Sequence, residues 1–107
     1  MKYGLTQHTI IKIKDVLQQF PQIDNAVIYG SRVKGNFKSS SDIDITLQGK
    51  NIDLQVFGSL ILKLDDLLLP NKFDLSVYHH ITNLDLLDHI KRVGEVIYQN
   101  KESISSI

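Results

Sequence analysis

The feature that most constrains the fold is a run of strictly alternating polar and apolar residues, Asp42-Ile43-Asp44-Ile45-Thr46-Leu47. Because successive side chains of a β-strand point to opposite faces, this run predicts a strand with its three aliphatic side chains on one face. The carboxylates of Asp42 and Asp44 then lie together on the other face. The aliphatic face needs a core, so the chain must pack helices against this strand.

Helices and further short strands are predicted on both sides of this run. Helical spacing of Ile10, Ile13, Leu17 and Phe20 predicts a helix that begins after Thr6 as N-cap and ends before Pro21. Strands are predicted at Ala26–Tyr29, Lys72–Tyr78 and Glu95–Tyr98, and further helices at Asp53–Leu69 and Leu84–Val93. The mixed order of elements predicts an α+β (α/β) fold, a small mixed β-sheet with helices packed on one face.

Size and composition predict one soluble globular domain. The chain has 107 residues, of which 42% are hydrophobic and 22% charged, values typical of a folded domain rather than a disordered segment. We expect the domain to span residues 1–98 and residues 99–107 to form a polar C-terminal tail.

Charge and cysteine content exclude several classes of function. The 12 basic residues balance the 12 acidic ones, which argues against a dedicated nucleic-acid binder, since such proteins carry a basic excess. The absence of cysteine removes disulfides, thiolate catalysis and cysteine-based zinc sites. With no apolar run long enough to cross a membrane and no signal-peptide pattern, we expect a cytoplasmic protein.

A third carboxylate is predicted beside the first two. In the alternating strand Lys72–Tyr78, Asp74 points away from the face that carries Phe73, Leu75 and Val77. If both alternating strands bury their apolar faces under the same helices, Asp42, Asp44 and Asp74 emerge on one open face. Three neighbouring carboxylates repel one another unless a cation lies between them, and hard oxygen ligands of this kind suit Mg²⁺.

A phosphate-binding turn is predicted just upstream. Gly30 and Ser31 follow the strand that ends at Tyr29, and Arg32 adds positive charge. A glycine lets a phosphate approach the backbone, and the following N–H groups and the Ser31 hydroxyl can donate to phosphate oxygens. Together with the carboxylates, the turn predicts a site for a nucleoside triphosphate and Mg²⁺, attacked in line by a hydroxyl.

Each of these features has a plainer interpretation when taken alone. An isolated Asp-x-Asp also occurs on ordinary solvated strands and in calcium loops, and a lone Gly30 is typical of a turn. No glycine follows the carboxylates at the calcium-loop spacing, which excludes an EF-hand. His8 and His89 lie on predicted helices without a partner at i+4, so we expect both to be surface residues.

The linked motifs resemble a known family. Gly30-Ser31-Arg32-Val33-Lys34-Gly35, followed by Ser41-Asp42-Ile43-Asp44 and later Asp74, is similar to the signature of the polymerase-β-type nucleotidyltransferase superfamily. The chain looks most like the minimal nucleotidyltransferases, the MNT type, over roughly residues 6–98. Many relatives have Arg where Lys34 stands.

The resemblance implies a role for each matched residue. Gly30, Ser31, Arg32 and Ser41 would bind the nucleotide. Asp42, Asp44 and Asp74 would be the catalytic and metal-binding residues of a site for two Mg²⁺ ions, with ATP as substrate. Asp74 would also help to deprotonate the attacking hydroxyl.

The resemblance also implies a partner. Minimal members are often paired with a helical HEPN-type toxin, act as its antitoxin and transfer AMP to a tyrosine of the toxin. Two alternatives stay open: a subunit of a small-molecule nucleotidyltransferase like the aminoglycoside-modifying enzymes, and a non-catalytic antitoxin that occludes its partner.

Overall fold

The computed structural model describes residues 1–101. In chain order the helices and strands are α1 (Gln7–Leu17), β1 (Asn25–Tyr29), α2 (Ser31–Lys34), β2 (Ile43–Gln48), α3 (Leu54–Asp65), β3 (Phe73–Val77), α4 (Leu84–Val93) and β4 (Glu95–Gln99). A single 3₁₀ turn, Tyr78–His80, follows β3.

The four strands form one mixed sheet in the order β3-β2-β1-β4. β1 pairs antiparallel with both β2 and β4, whereas β2 and β3 are parallel. A parallel pair needs a long crossover, and α3 is the helix that returns the chain from the end of β2 to the start of β3. The predicted class, a small mixed sheet with packed helices, is confirmed.

The core lies between one face of the sheet and the helices α1 and α3. The alternation in β2 places Ile43, Ile45 and Leu47 on this face, where all three are fully buried. The same cluster contains Ile13 and Leu17 of α1 and Leu60 and Leu64 of α3. Its members on the strands are Ala26, Ile28, Ile43, Ile45, Leu47, Val77 and Ile97. Burial of these side chains away from water is the main force that holds the layers together.

Helix α4 lies against the opposite face of the sheet. Its His89 ring contacts the Tyr29 ring edge to face, and Tyr29 pairs across the sheet with Asp44, which points away from the core. Ile90 is buried but does not belong to the core cluster. The helices therefore do not all pack on one face as predicted: α1 and α3 form one layer, and α4 covers part of the other.

Helix ends differ from the predicted bounds ahead of the two prolines. Thr6 caps α1 as predicted, accepting from the N–H of Thr9 at 3.1 Å, but the helix ends at Leu17 and not at Phe20. Likewise α3 ends at Asp65 and not at Leu69. A proline disfavours helical conformation only at the residue directly before it, here Phe20 or Leu69. Each helix ends earlier in a tighter turn, with the N–H of Phe20 bonded to the Leu17 carbonyl at 3.1 Å and the N–H of Leu68 bonded to the Asp65 carbonyl at 3.0 Å.

The C-terminal strand is one residue longer than predicted. Gln99 pairs with Asn25 as the last residue of β4, so the strand enters the segment predicted as a tail. Residues 102–107 of that tail lie outside the described residues, and the division at residue 98 stays a prediction.

Candidate active site

The turn between β1 and α2 requires glycine at position 30. Gly30 has φ of +82°, in the region that favours glycine, and a Cβ there would collide with a carboxylate oxygen of Asp44. Ser31 then opens α2, whose first hydrogen bond runs from the N–H of Val33 to the carbonyl of Gly30 at 3.2 Å. The turn and the carboxylate that were predicted separately are therefore in direct contact.

Asp44 and Asp74 form a pair across two neighbouring strands. In the parallel register of β2 and β3, Asp44 lies beside Asp74, and Tyr29 lies beside Asp44 on the other side in β1. Laterally paired residues point to the same face of a sheet, so these three side chains form a row. Asp44 is half-buried and Asp74, on the edge strand, is exposed.

Asp42 does not complete a closed group of three. It is exposed, immediately before β2, and no strand pairing fixes its position. Across residues 1–101 no three side chains of His, Asp or Glu are arranged closely enough to hold a metal ion. The structure thus brings Asp44 and Asp74 together and places Asp42 nearby, and the assignment of metal ligands stays a prediction.

The charge of this group favours a cation. The pKa of Asp44 is raised from 3.8 to about 6, first by burial and then by the charges of Asp74 and Asp42, while the charge of Arg32 opposes the rise. Carboxylates that disfavour each other's ionisation are stabilised when a cation is placed between them. The oxygen-only donors on Asp44 and Asp74 are those that Mg²⁺ prefers, so the residues present fit this ion.

The phenol of Tyr29 belongs to the same electrostatic environment. Burial raises its pKa, the Ser76 hydroxyl opposes that shift, and the charges of Asp74 and Asp44 add to it. Tyr29 therefore stays protonated near neutral pH and adds no charge beside the carboxylates.

Arg32 is directed into the protein. It is 3% exposed and its guanidinium donates to the carbonyls of Ser41 at 2.9 Å, Tyr3 at 2.8 Å and Ser39 at 3.4 Å. The guanidinium carbon also lies over the ring of Phe37, 5.2 Å from the ring centroid. Arg32 thus fixes the loop between α2 and β2, and its predicted contact with a nucleotide stays a prediction.

Ser41 is part of that same loop. Its hydroxyl accepts from the N–H of Lys38 at 2.9 Å, and its carbonyl accepts from Arg32 and from the Asn71 amide at 3.3 Å. These contacts place Ser41 in the structure that leads the chain into β2. A contact with the nucleotide, as the resemblance implies, stays a prediction.

His89 contacts the turn although the sequence placed it on the surface. Its Nε2 accepts a hydrogen bond from the backbone N–H of Gly30 at 3.1 Å, and the residue is half-buried. The prediction of a surface residue was wrong for His89 and is confirmed for His8, which is exposed. The available signal was the spacing of Leu86, His89 and Val93, which lie on one side of α4 and are all partly buried, but no local pattern pointed to Gly30.

Solved structures share this fold at low sequence identity. A chain of a toxin–antitoxin complex with AMP-PNP matches with a TM-score of 0.67 and 22% identity, covering 92% of this chain and 77% of that one. A chain of the Shewanella oneidensis complex of a tri-AMPylated HEPN toxin with its MNT antitoxin matches with a TM-score of 0.66 and 19% identity, covering 94% and 78%. A candidate nucleotidyltransferase from Sulfolobus solfataricus matches with a TM-score of 0.52 and 17% identity, covering 94% and 91%.

Two further comparisons concern the sequence. The search of curated proteins gave no significant match. A family model described as polymerase beta, nucleotidyltransferase, matches residues 11–103, a span that contains the Gly30–Ser31 turn and all three aspartates. The chain therefore belongs to the polymerase beta nucleotidyltransferase family.

Proposed function

We propose that this chain transfers AMP from ATP to a hydroxyl group in a Mg²⁺-dependent reaction, and that the acceptor is a tyrosine of a helical HEPN-type partner. The observation that carries the proposal is the contact between the Gly30 turn and the Asp44 carboxylate, with Asp74 aligned beside it. This arrangement supports a site in which the phosphates would lie next to a divalent cation.

The turn supplies donors for the triphosphate. Ser31 is the first residue of α2, so its N–H has no acceptor within the helix, and its hydroxyl is on the same residue. Gly30 lacks the Cβ that would separate the phosphates from the Asp44 carboxylate. We assign Gly30 and Ser31 to the triphosphate.

The carboxylates would hold the metal. Asp44 and Asp74, with Asp42 at the start of the strand, are the residues that would bind Mg²⁺, which when bound would neutralise charge on the phosphates and on the attacking oxygen. Because Asp44 is aligned with Asp74 and feels the charge of Asp42, loss of its charge should weaken binding of the metal and of the nucleotide together.

The transfer itself needs positioning and one proton acceptor. The acceptor hydroxyl oxygen attacks the α-phosphorus of ATP, the bond from that phosphorus to the oxygen bridging to the β-phosphorus breaks, and pyrophosphate leaves with the electron pair. The hydroxyl proton passes to a carboxylate oxygen of Asp74, which is exposed on the edge strand β3 and thus accessible from outside the sheet.

A second polypeptide would complete the site. Asp74 is exposed on the edge strand β3 beside Asp44, so water would reach a bound nucleotide as readily as a chosen hydroxyl, and transfer depends on positioning. Two solved relatives of this fold are chains of toxin–antitoxin complexes, one with an AMPylated HEPN toxin. These relatives support the choice of a HEPN protein as the partner.

Co-expression with a HEPN protein from the same genome tests the proposal. After purification the complex is incubated with ATP and Mg²⁺, and intact-mass spectrometry reads the partner. We expect the partner to gain the mass of AMP, and we expect no gain with the Asp44→Asn variant or in the presence of EDTA. The control is Asp65→Asn, which replaces an exposed carboxylate on α3 and should behave as wild type.

The other outcomes distinguish the alternatives. A stable complex with no AMP added to the partner would favour the non-catalytic antitoxin. Absence of a complex together with AMP transfer to a small hydroxylated compound would favour the small-molecule transferase.

A further inference from the structure

We propose that His89 is a positioning residue of the nucleotide site: its Nε2 holds the N–H of Gly30 and thereby fixes the turn that presents Ser31 to the triphosphate. The inference rests on the proposed nucleotide site. It joins two residues that lie 59 positions apart in the chain.

The turn is held from two sides. On one side, the space where a Cβ of Gly30 would lie is filled by an Asp44 carboxylate oxygen. On the other, the Gly30 N–H donates to His89 Nε2 at 3.1 Å. A glycine has more backbone freedom than any other residue, so a turn built on Gly30 keeps one conformation only if its neighbours restrain it.

The imidazole is itself oriented. Its ring meets the Tyr29 ring edge to face, with centroids 6.1 Å apart and an interplanar angle of 77°. Because Nε2 accepts a hydrogen bond, it carries no proton, and the neutral ring bears its proton on Nδ1. The contact therefore predicts one tautomer as well as one rotamer.

Helix α4 is anchored so that His89 can act on the turn. Its buried residue is Ile90, the neighbour of His89. A Cβ on Gly94 would collide with the Ile90 carbonyl and approach Val27 to 2.7 Å, so the end of the helix lies directly on β1. Beyond Gly94 the chain continues as β4, which also pairs with β1. Both His89 and its helix are thus fixed to the strand that leads into Gly30.

Two substitutions separate the hydrogen bond from the ring packing. His89→Gln keeps an acceptor near the position of Nε2 but loses the ring, whereas His89→Phe keeps a ring against Tyr29 but has no acceptor. His8→Gln, on exposed α1 surface, is the matched control. Calorimetric titration with AMP-PNP and Mg²⁺ measures nucleotide affinity for each variant.

We expect His89→Phe to weaken nucleotide binding about three- to tenfold, the effect of one lost hydrogen bond, and His89→Gln and His8→Gln to bind within about twofold of wild type. In the AMP-transfer assay the loss should appear in KM for ATP more than in kcat. Nitrogen NMR of the free wild-type protein should show His89 protonated at Nδ1 and not at Nε2.

Three results would overturn the inference while leaving the proposed function in place. Unchanged affinity in His89→Phe would show that the hydrogen bond does not prepare the turn. A loss in His89→Gln equal to that in His89→Phe would assign the effect to ring packing. A proton on Nε2 in the free protein would remove the contact itself. If the wild type binds no nucleotide, the proposed function falls together with this role, whereas binding by wild type with an unchanged His89→Phe removes only the role of His89.

Discussion

Asp44 is the residue on which the candidate site depends, because it lies against Gly30, is aligned with Asp74 on the neighbouring strand and interacts electrostatically with Arg32. Its pKa is raised to about 6 from 3.8, first by burial and then by the charges of Asp74 and Asp42. A folded-state pKa above the unfolded value means that the protonated form stabilises the fold below about pH 4, and that this contribution is lost as the pH rises through about 6.

Asp44→Asn should therefore stabilise the free protein at about pH 7.5 and leave its stability nearly unchanged at about pH 4. Solvent screens a half-exposed carboxyl, so we expect a gain of about 1 kcal/mol in the free energy of unfolding. Urea unfolding at both pH values measures it, with Asp65→Asn as control. An equal effect of Asp44→Asn at both pH values would contradict the electrostatic origin.

Arg32 is the second residue whose surroundings decide its role. Because its guanidinium is buried and serves three loop carbonyls, Arg32→Met should lower the free energy of unfolding by about 3 kcal/mol. Lysine keeps the charge but cannot reproduce the fork of donors. Arg32→Lys should therefore lower the free energy of unfolding by more than half of the loss in Arg32→Met. Denaturant unfolding compares the two variants, and a neutral Arg32→Lys would show that charge alone matters.

At the scale of elements, helix starts are set by single capping side chains. Thr6, Asp53 and Asn83 each accept a hydrogen bond from the N–H three residues ahead, at 3.1, 2.8 and 3.0 Å. These oxygens satisfy donors that the first turn leaves unpaired. The starts of α1, α3 and α4 therefore follow from side chains that can be identified in the sequence.

Two glycines test how backbone conformation within an element affects stability, because both have room for a Cβ but differ in φ. A Cβ would meet nothing within 4 Å at either Gly58, inside α3, or Gly35, which ends α2 with φ of +87°. Gly58→Ala should raise the free energy of unfolding by up to about 1 kcal/mol, since alanine favours helix. Gly35→Ala should lower it by about 1 kcal/mol, since alanine is strained at positive φ.

Thermal unfolding of the two variants under identical conditions measures this contrast. A stabilising Gly35→Ala, or a destabilising Gly58→Ala, would show that the local conformations differ from those described.

At the scale of the whole molecule, the sheet joins a hydrophobic core on one face to a polar site on the other. α1 and α3 bury the aliphatic residues of β2, and the same alternation leaves Asp44 and Asp74 on the face that α4 covers only in part. In residues 1–101 no helix is long and apolar enough to cross a membrane.

Binding of nucleotide and Mg²⁺ should stabilise the whole domain. At AMP-PNP concentrations about 100-fold above Kd, the gain is about 2.7 kcal/mol, a rise in Tm of about 10 °C for a domain of this size. Differential scanning calorimetry should show this shift in wild type and Asp65→Asn, and not after addition of EDTA or in Asp44→Asn. A shift of the same size in Asp44→Asn would remove this carboxylate from the site.

The sequence by itself determined most of the local structure and indicated the residues of the candidate site. Alternation in residues 42–47 assigned Asp44 and the aliphatic side chains to opposite faces, Thr6 marked the start of the first helix, and the spacing of Gly30, Ser31 and the aspartates indicated the family. These signals are short-range, because each depends on backbone geometry over a few residues.

Only the tertiary structure decided which of those residues meet. The parallel register aligned Asp74 with Asp44, the folded loop turned Arg32 inward onto carbonyls, and the packing of α4 brought His89 to Gly30. Asp42, for which no register is set, stayed outside the pair. Such contacts join residues far apart in the chain, and they follow from strand register and helix packing, which no local periodicity specifies.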